Sequence, residues 1–238
     1  MFFYRLAGLI NEGDLGIGEV FIFLASFLIA VVFSITLHEV AHAFVAYKCG
    51  DDTAKLAGRL TLNPAKHFDA IGFLMMLLVG FGYAKPVPIN SYNFKNVKAG
   101  RIAVSVAGVV TNLFIGSVSL LFLFLLYKSA PGIESATQMA FFNFGFSLFA
   151  YLVTLNFMLA LFNFLPIFPL DGFNFVNSLL PQPNNFATFM YKNGRFLLYG
   201  LIILDVISDV FLKQFGISLS IFDLFSRWIL TVIQSVIG

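Results

Sequence analysis

The chain has 238 residues, 59% of them hydrophobic and 11% charged, with a formal net charge of +2. Soluble domains carry roughly 25% charged residues, so the composition argues against one, and so small a net charge excludes nucleic acid as an expected partner. One cysteine, Cys49, rules out an intrachain disulfide and a four-cysteine metal site, which leaves His, Asp and Glu as metal donors.

Residues 1–18 form a mildly polar lead-in. Arg5 is its one base, Glu12 and Asp14 are acidic, and the long apolar run that follows has no small-residue cleavage site. The lead-in is therefore expected to be retained rather than removed as a signal. About 20 apolar residues cross a hydrocarbon core about 30 Å thick, and the first charge-free run, Val20 to Leu37, has 18. One helix is expected to continue to about Tyr47. At about 1.5 Å per residue from Val20, His38 lies about 27 Å along it and His42 about 33 Å, near the far face of the bilayer.

Residues 48–70 read as a polar loop with Lys48, Lys55, Arg59 and Lys66. The next apolar piece, Ala70 to Gly82, has 13 residues, too few to span. It is expected to be a re-entrant or interfacial segment that returns to the same side. A second basic loop follows, with Lys85, Lys95, Lys98 and Arg101. Two basic loops on one side make that side cytoplasmic and put the N-terminus outside.

A second span is expected over Ile102–Tyr127 and a third over about Met139–Leu165, joined by a turn at Pro131-Gly132. The third returns inward, so Asp171 reaches the depth of His38 and His42. Phe196–Leu212, with Asp205 and Asp209, reads as a fourth span, and Ile217–Ile237, with Asp223 and Arg227, as a spanning or interfacial helix. The expectation is an all-α polytopic membrane protein: a three-helix core with a re-entrant segment, plus one or two C-terminal helices. Its parts are the lead-in (1–18), a core over 19–180, and a C-terminal loop and membrane helices over 181–238.

His38-Glu39-Val40-Ala41-His42 closes the first apolar run. Residues four apart on a helix share a face, so both imidazoles can reach one metal, with Glu39 beside the water that the metal activates. Zinc held by three protein ligands keeps a fourth position for that water, and Glu39 can act as general base. HExxH alone also arises by chance as a salt-bridge cluster on a helix surface. At membrane depth that alternative is poor, since each ionisable side chain costs about 2.5–3.5 kcal/mol to insert.

A third ligand should come from another helix. Asp171 is the one acid between Glu134 and Asp205, and it closes the string Asn163-Phe164-Leu165-Pro166-Ile167-Phe168-Pro169-Leu170-Asp171-Gly172. The prolines end the span there, and the glycine frees the backbone beside the carboxylate. The bland reading of Asp171 is a helix-ending turn. Asn163 could donate to a developing oxyanion or simply bridge helices. His67 reads as a loop histidine rather than a ligand, Asn112 as interhelical glue, and Asp205 with Asp209 as facing a helix partner or water rather than an ion path.

HEVAH near the end of a first core span, with N-x-x-P-x-x-P-L-D-G at the end of a later one, resembles the site-2 protease family of intramembrane zinc metalloproteases. The likeness extends through Gly58–Pro64, Gly80-Phe81-Gly82, Ala84–Asn90, Tyr92-Asn93-Phe94 and Ala107–Asn112, about residues 20 to 180. It is closest to the compact prokaryotic branch without PDZ or CBS domains. The resemblance implies one zinc per chain on His38, His42 and Asp171, Glu39 as base, and cleavage of transmembrane protein or peptide substrates near the cytoplasmic face of a prokaryotic plasma membrane, in contact with lipid. It also implies that the segment around Gly80 and Gly82 holds substrate as an added strand. The chain departs from the family's Ala-Gly-Pro at Ala107-Gly108-Val109. The rival reading is a polytopic transporter or ion channel using buried His and Asp residues, though no repeated halves support it. A catalytically dead relative would have no need of Glu39.

Overall fold

The computed structural model describes residues 16–79, 84–129, 135–210 and 220–237. Among them are eight α-helices: α1 (Ile17–Cys49), α2 (Thr53–Leu56), α3 (Ala70–Val79), α4 (Val97–Ser129), α5 (Ala136–Asn163), α6 (Asp171–Leu179), α7 (Asn185–Val210) and α8 (Ile221–Ile237). No strand occurs among the described residues; one antiparallel bridge pairs Phe68 with Ala84.

Helices α1, α4 and α5 are each long and apolar enough to cross a membrane. At 33 residues, α1 and α4 extend about 50 Å, beyond a hydrocarbon core of about 30 Å. Helix α4 runs a few residues past its charge-free stretch, through Lys98, Arg101 and Lys128, and α1 runs on beyond Leu37, through Glu39 and Lys48, to Cys49. Ala107-Gly108-Val109 lies within uninterrupted α4, so the missing proline leaves the helix continuous. The fourth expected span falls on α7. That helix carries Lys192, Arg195, Asp205 and Asp209 and is not among the three; α8 has 17 residues.

The three spans pack against one another pairwise, with α6 against α4 and α8 against α5. Lipid tails are as apolar as leucine, so close packing and polar contacts must hold the spans together. Small residues admit that closeness: Ala30 of α1 meets Ile115 and Leu152, and a Cβ on Gly116 would lie 3.0 Å from the Phe157 ring. A polar link crosses the same interface, where buried Asn156 donates to Ser34 Oγ at 2.7 Å. Ser34 in turn donates to the Ala30 carbonyl at 2.6 Å. On the outer faces Phe21, Phe33, Phe114, Leu121 and Phe141 are exposed, as lipid-facing residues should be.

Two features carry the chain back onto the end of α1. Gly50 ends that helix in the left-handed region, φ 111°, which glycine adopts without a Cβ penalty. The segment 84–95 then lies across the turn. Lys85 N donates to His67 O at 2.9 Å, Asn90 N to Asp51 Oδ2 at 2.7 Å and Lys95 N to Cys49 O at 2.9 Å. Arg59 adds a bond to the Lys85 carbonyl, so this one base of the basic loops is spent inside the protein.

Asp51 is the hub of that seam. It is fully buried and accepts from Thr53 N at 3.1 Å, Thr53 Oγ1 at 2.5 Å and Asn93 Nδ2 at 2.8 Å as well as from Asn90. Burial works to raise its pKa, yet these hydrogen bonds to the charged form outweigh it and hold the carboxyl below its ordinary value. A lowered folded-state pKa gives stability that is complete above the unfolded-chain value of about 3.9 and fades as pH falls below it. Asp51→Asn should lower the thermal midpoint at neutral pH, by a loss of about 1–3 kcal/mol for mispaired buried groups. It should also flatten the midpoint's fall on acidification. Melting curves in detergent from neutral pH to about 3 check this; equal acid sensitivity in both proteins would contradict it.

Helix α6 starts tightly against the end of α5. A Cβ on Gly172 would sit 2.2 Å from the Phe164 carbonyl oxygen and 2.6 Å from that of Leu165. No flexible side chain can yield there. Gly172→Ala should therefore cost about 1–3 kcal/mol or more and displace the first turn of α6. Thermal unfolding of the purified variant measures it; a midpoint equal to wild type would show that the turn accommodates a methyl group.

Candidate metal centre

His38 and His42 occupy successive turns of α1 and are both buried, at 9% and 7% exposure. Asp171 is the first residue of α6, after a turn closed by Ile167 N to Leu165 O and Leu170 N to Ile167 O, both 2.8 Å. The three converge. His38 Nε2 and His42 Nε2 are 3.1 Å apart, and Asp171 Oδ2 lies 3.3 Å from the first and 3.1 Å from the second. They form the one group of three or more potential metal donors among the described residues.

The donor set fits a zinc ion on two grounds. His42 Nδ1 is 2.8 Å from the Val104 carbonyl, which can only accept, so Nδ1 carries the hydrogen and Nε2 presents a lone pair to the other two atoms. Asp171 Oδ2 is buried and takes no well-aligned hydrogen bond, although both imidazoles are near. With the His38 hydrogen on Nδ1 as well, all three atoms would present lone pairs to one another in a buried space, and a cation at their centre would offset their repulsion. Spacing agrees as well: tetrahedral zinc with donors at 2.0–2.1 Å sets them about 3.3 Å apart.

Gly108 of α4 makes room for this arrangement. A Cβ there would fall 2.3 Å from His38 Cε1 and 2.6 Å from both ring nitrogens. Four residues on, the Asn112 amide nitrogen lies 3.1 Å from His38 Nδ1. Glu39, half-buried, accepts from Val87 N at 3.1 Å, which fixes one carboxylate oxygen to the segment 84–95.

The remaining candidates divide. Asn163 ends α5 and donates to the Leu159 carbonyl at 3.1 Å, a bond that commits one of its amide hydrogens. Gly80 and Gly82 lie outside the described residues. His67 is buried in the loop before α3, where Nε2 donates to the Thr61 carbonyl at 2.8 Å, and it is no part of the metal group. Asp205 accepts from Ser220 Oγ, a buried contact between α7 and the start of α8. Sequence patterns give no sign of the Val104 carbonyl or the Val87 amide, since backbone groups look alike at every position. Ser34 and Asn156 are polar residues in apolar runs and could have been noticed as a cross-link.

Comparison with known proteins agrees with this chemistry. The model of peptidase family M50 matches residues 26–201. "Putative zinc metalloprotease YwhC" of Bacillus subtilis (strain 168) is 44% identical over 155 residues, 65% of this chain and 68% of the relative. "Putative zinc metalloprotease Rip2" of Mycobacterium tuberculosis (strain ATCC 25618 / H37Rv) is 27% identical over 195 residues, 80% of this chain and 70% of the relative. No solved structure matches the chain. These likenesses take the transporter reading out of contention: the chain belongs to peptidase family M50, the site-2 proteases, and is a membrane-embedded zinc metalloendopeptidase.

Proposed function

We propose that the chain hydrolyses peptide bonds within or next to transmembrane segments of other membrane proteins, with zinc on His38, His42 and Asp171 and Glu39 as general base. The observation that carries this reading is the convergence of His38 and His42, on a helix apolar enough to cross the bilayer, with Asp171 from the start of α6, and with a carboxylate one residue beyond the first histidine. Soluble substrates have poor access to such a place. A transmembrane segment already lies at the right depth.

Bound zinc would act as a Lewis acid and bring the pKa of a water down to about 7. The residues of the chain do the rest. Val87 N–H holds one oxygen of Glu39, which aims the carboxylate so that it can take the water's proton and pass it to the leaving amine. His42 is kept in one tautomer by the Val104 carbonyl. Asn163, at the end of α5 with one amide hydrogen beyond its bond to Leu159, would donate to the substrate's carbonyl oxygen as that oxygen gains charge. Gly80 and Gly82 sit on the stretch that precedes the Phe68–Ala84 bridge, which favours reading it as the edge where an extended substrate adds as a strand.

Lys48, Lys55, Lys66, Lys85, Lys95, Lys98 and Arg101 flank the ends of the spans nearest the centre. That distribution favours a cytoplasmic position for the centre, in a plasma membrane, and would place cleavage near that face.

Two variants, with a third as a control, separate metal binding from chemistry. Glu39→Gln should retain stoichiometric zinc and lose cleavage of a model transmembrane substrate by at least about 100-fold. Zinc is measured on the purified protein and cleavage in detergent or liposomes; normal cleavage by the variant would remove Glu39 from its role. Asp171→Ala should weaken zinc binding, by chelator competition, by at least about 10-fold, whereas His67→Ala should leave it unchanged. Undiminished affinity in the Asp171 variant would mean that the third ligand lies elsewhere.

A further inference from the structure

Three positions on α4 meet the metal centre from behind, four residues apart and so on one face of the helix: the Val104 carbonyl at His42 Nδ1, Gly108 beneath the His38 ring, and Asn112 at His38 Nδ1. The first holds the hydrogen of His42 on Nδ1. The third stands in the equivalent place for His38. Asn112 is fully buried, and its oxygen Oδ1 has no partner.

The direction of the Asn112–His38 bond matters for metal binding. With Nδ2 turned to the ring at 3.1 Å, the amide donates, Nδ1 is bare, and the hydrogen of a neutral imidazole moves to Nε2. There it points at His42 Nε2 and Asp171 Oδ2 and occupies the place of the ion. Turning the amide by 180° exchanges two atoms of nearly the same size. Oδ1 then accepts from Nδ1–H, and Nε2 presents its lone pair alongside that of His42. Either orientation leaves one amide atom on the far side of Asn112 unpartnered, so the imidazole and its ion decide between them.

We propose that Asn112 is a positioning residue of the metal centre: in the zinc-loaded protein its Oδ1 accepts from His38 Nδ1–H and so fixes the tautomer that turns Nε2 to the metal. This rests on the reading that His38, His42 and Asp171 hold zinc. It goes beyond that reading in giving a transmembrane amide on a second span control over the basicity and direction of a ligand on the first. A mere interhelical contact would not depend on which amide atom faces the ring. Metal-bound histidines gain affinity from such an acceptor, and its loss typically costs about 10- to 100-fold.

The test uses the full chain in detergent, with zinc affinity measured by chelator competition on wild type, Asn112→Leu and Asn112→Asp. Leucine matches the size and removes the acceptor, and should weaken zinc by about 10- to 100-fold. Aspartate keeps the oxygen and cannot donate when ionised, and should hold zinc close to wild type. An aspartate variant as weak as the leucine variant would show that the amide donates, and undiminished affinity in the leucine variant would show that it does nothing for the metal; either overturns the proposal while the ligand assignment stands. Failure of wild type to bind zinc at all overturns both. Should the variants fold poorly, long-range proton–nitrogen spectra of zinc-loaded wild type labelled on its three histidines decide the matter. The His38 Nδ1–H should be shifted downfield and protected from exchange by the Asn112 oxygen, and an Nδ1–H with the shift and exchange of one lacking an acceptor would overturn the proposal while the ligand assignment stands.

Discussion

The structure turns on a small electrostatic conflict: two imidazole nitrogens and a carboxylate oxygen, all within 3.3 Å of one another, face each other in a buried space. Among the described residues no hydrogen bond relieves Asp171 Oδ2. Ionisable groups at membrane depth are retained when they pair with something, and an ion of charge two satisfies all three at once. The bonds around the triad hold this arrangement in place rather than neutralise it. The carbonyl of Val104 fixes one ring, the absent side chain of Gly108 admits the other, and the close start of α6 at Gly172 delivers the carboxylate.

Packing follows the same economy. With lipid around them, the three spans gain little from merely hiding apolar surface, so small residues and a few buried amides decide how they meet. Asn156 to Ser34 ties α5 to α1, and Asn112 to His38 ties α4 to α1. Outside the apolar layer the seam built on Asp51 and the segment 84–95 closes the end of α1, and its Val87 amide reaches in to Glu39. The Glu39 carboxylate is thus held by the loop and the His38 and His42 rings by α4.

Much of this was legible in the sequence, for definite reasons. Charge-free runs of 18 or more residues have few uses besides crossing lipid, so the three spans stood out; their ends did not, because a helix continues through Lys98 and Arg101 where the apolar run has stopped. The gathering of His38, His42 and Asp171 was readable because their types and spacing are rare in apolar surroundings. Asp171 reads from sequence as the end of a span and proves to be the first residue of a separate helix, since a proline-rich turn is compatible with either. Asn112 reads as glue between helices, and only the position of the ring beside it shows which atom it serves. Contacts made by main-chain groups, at Val87 and Val104, leave no mark on residue identity.

The regular spacing of Val104, Gly108 and Asn112 has a consequence for how the chain can vary in length. Each added residue turns the rest of a helix by about 100°. One insertion between 104 and 112 would swing part of the stripe away from α1, leaving a histidine without its acceptor or pressing a side chain into a ring. Added residues between Ser129 and Ser135, beyond the ends of α4 and α5, would leave that stripe in register. The centre thus acts as a ruler fixed along facing turns of two spans, strict about phase within them and indifferent to how long the connections between them become.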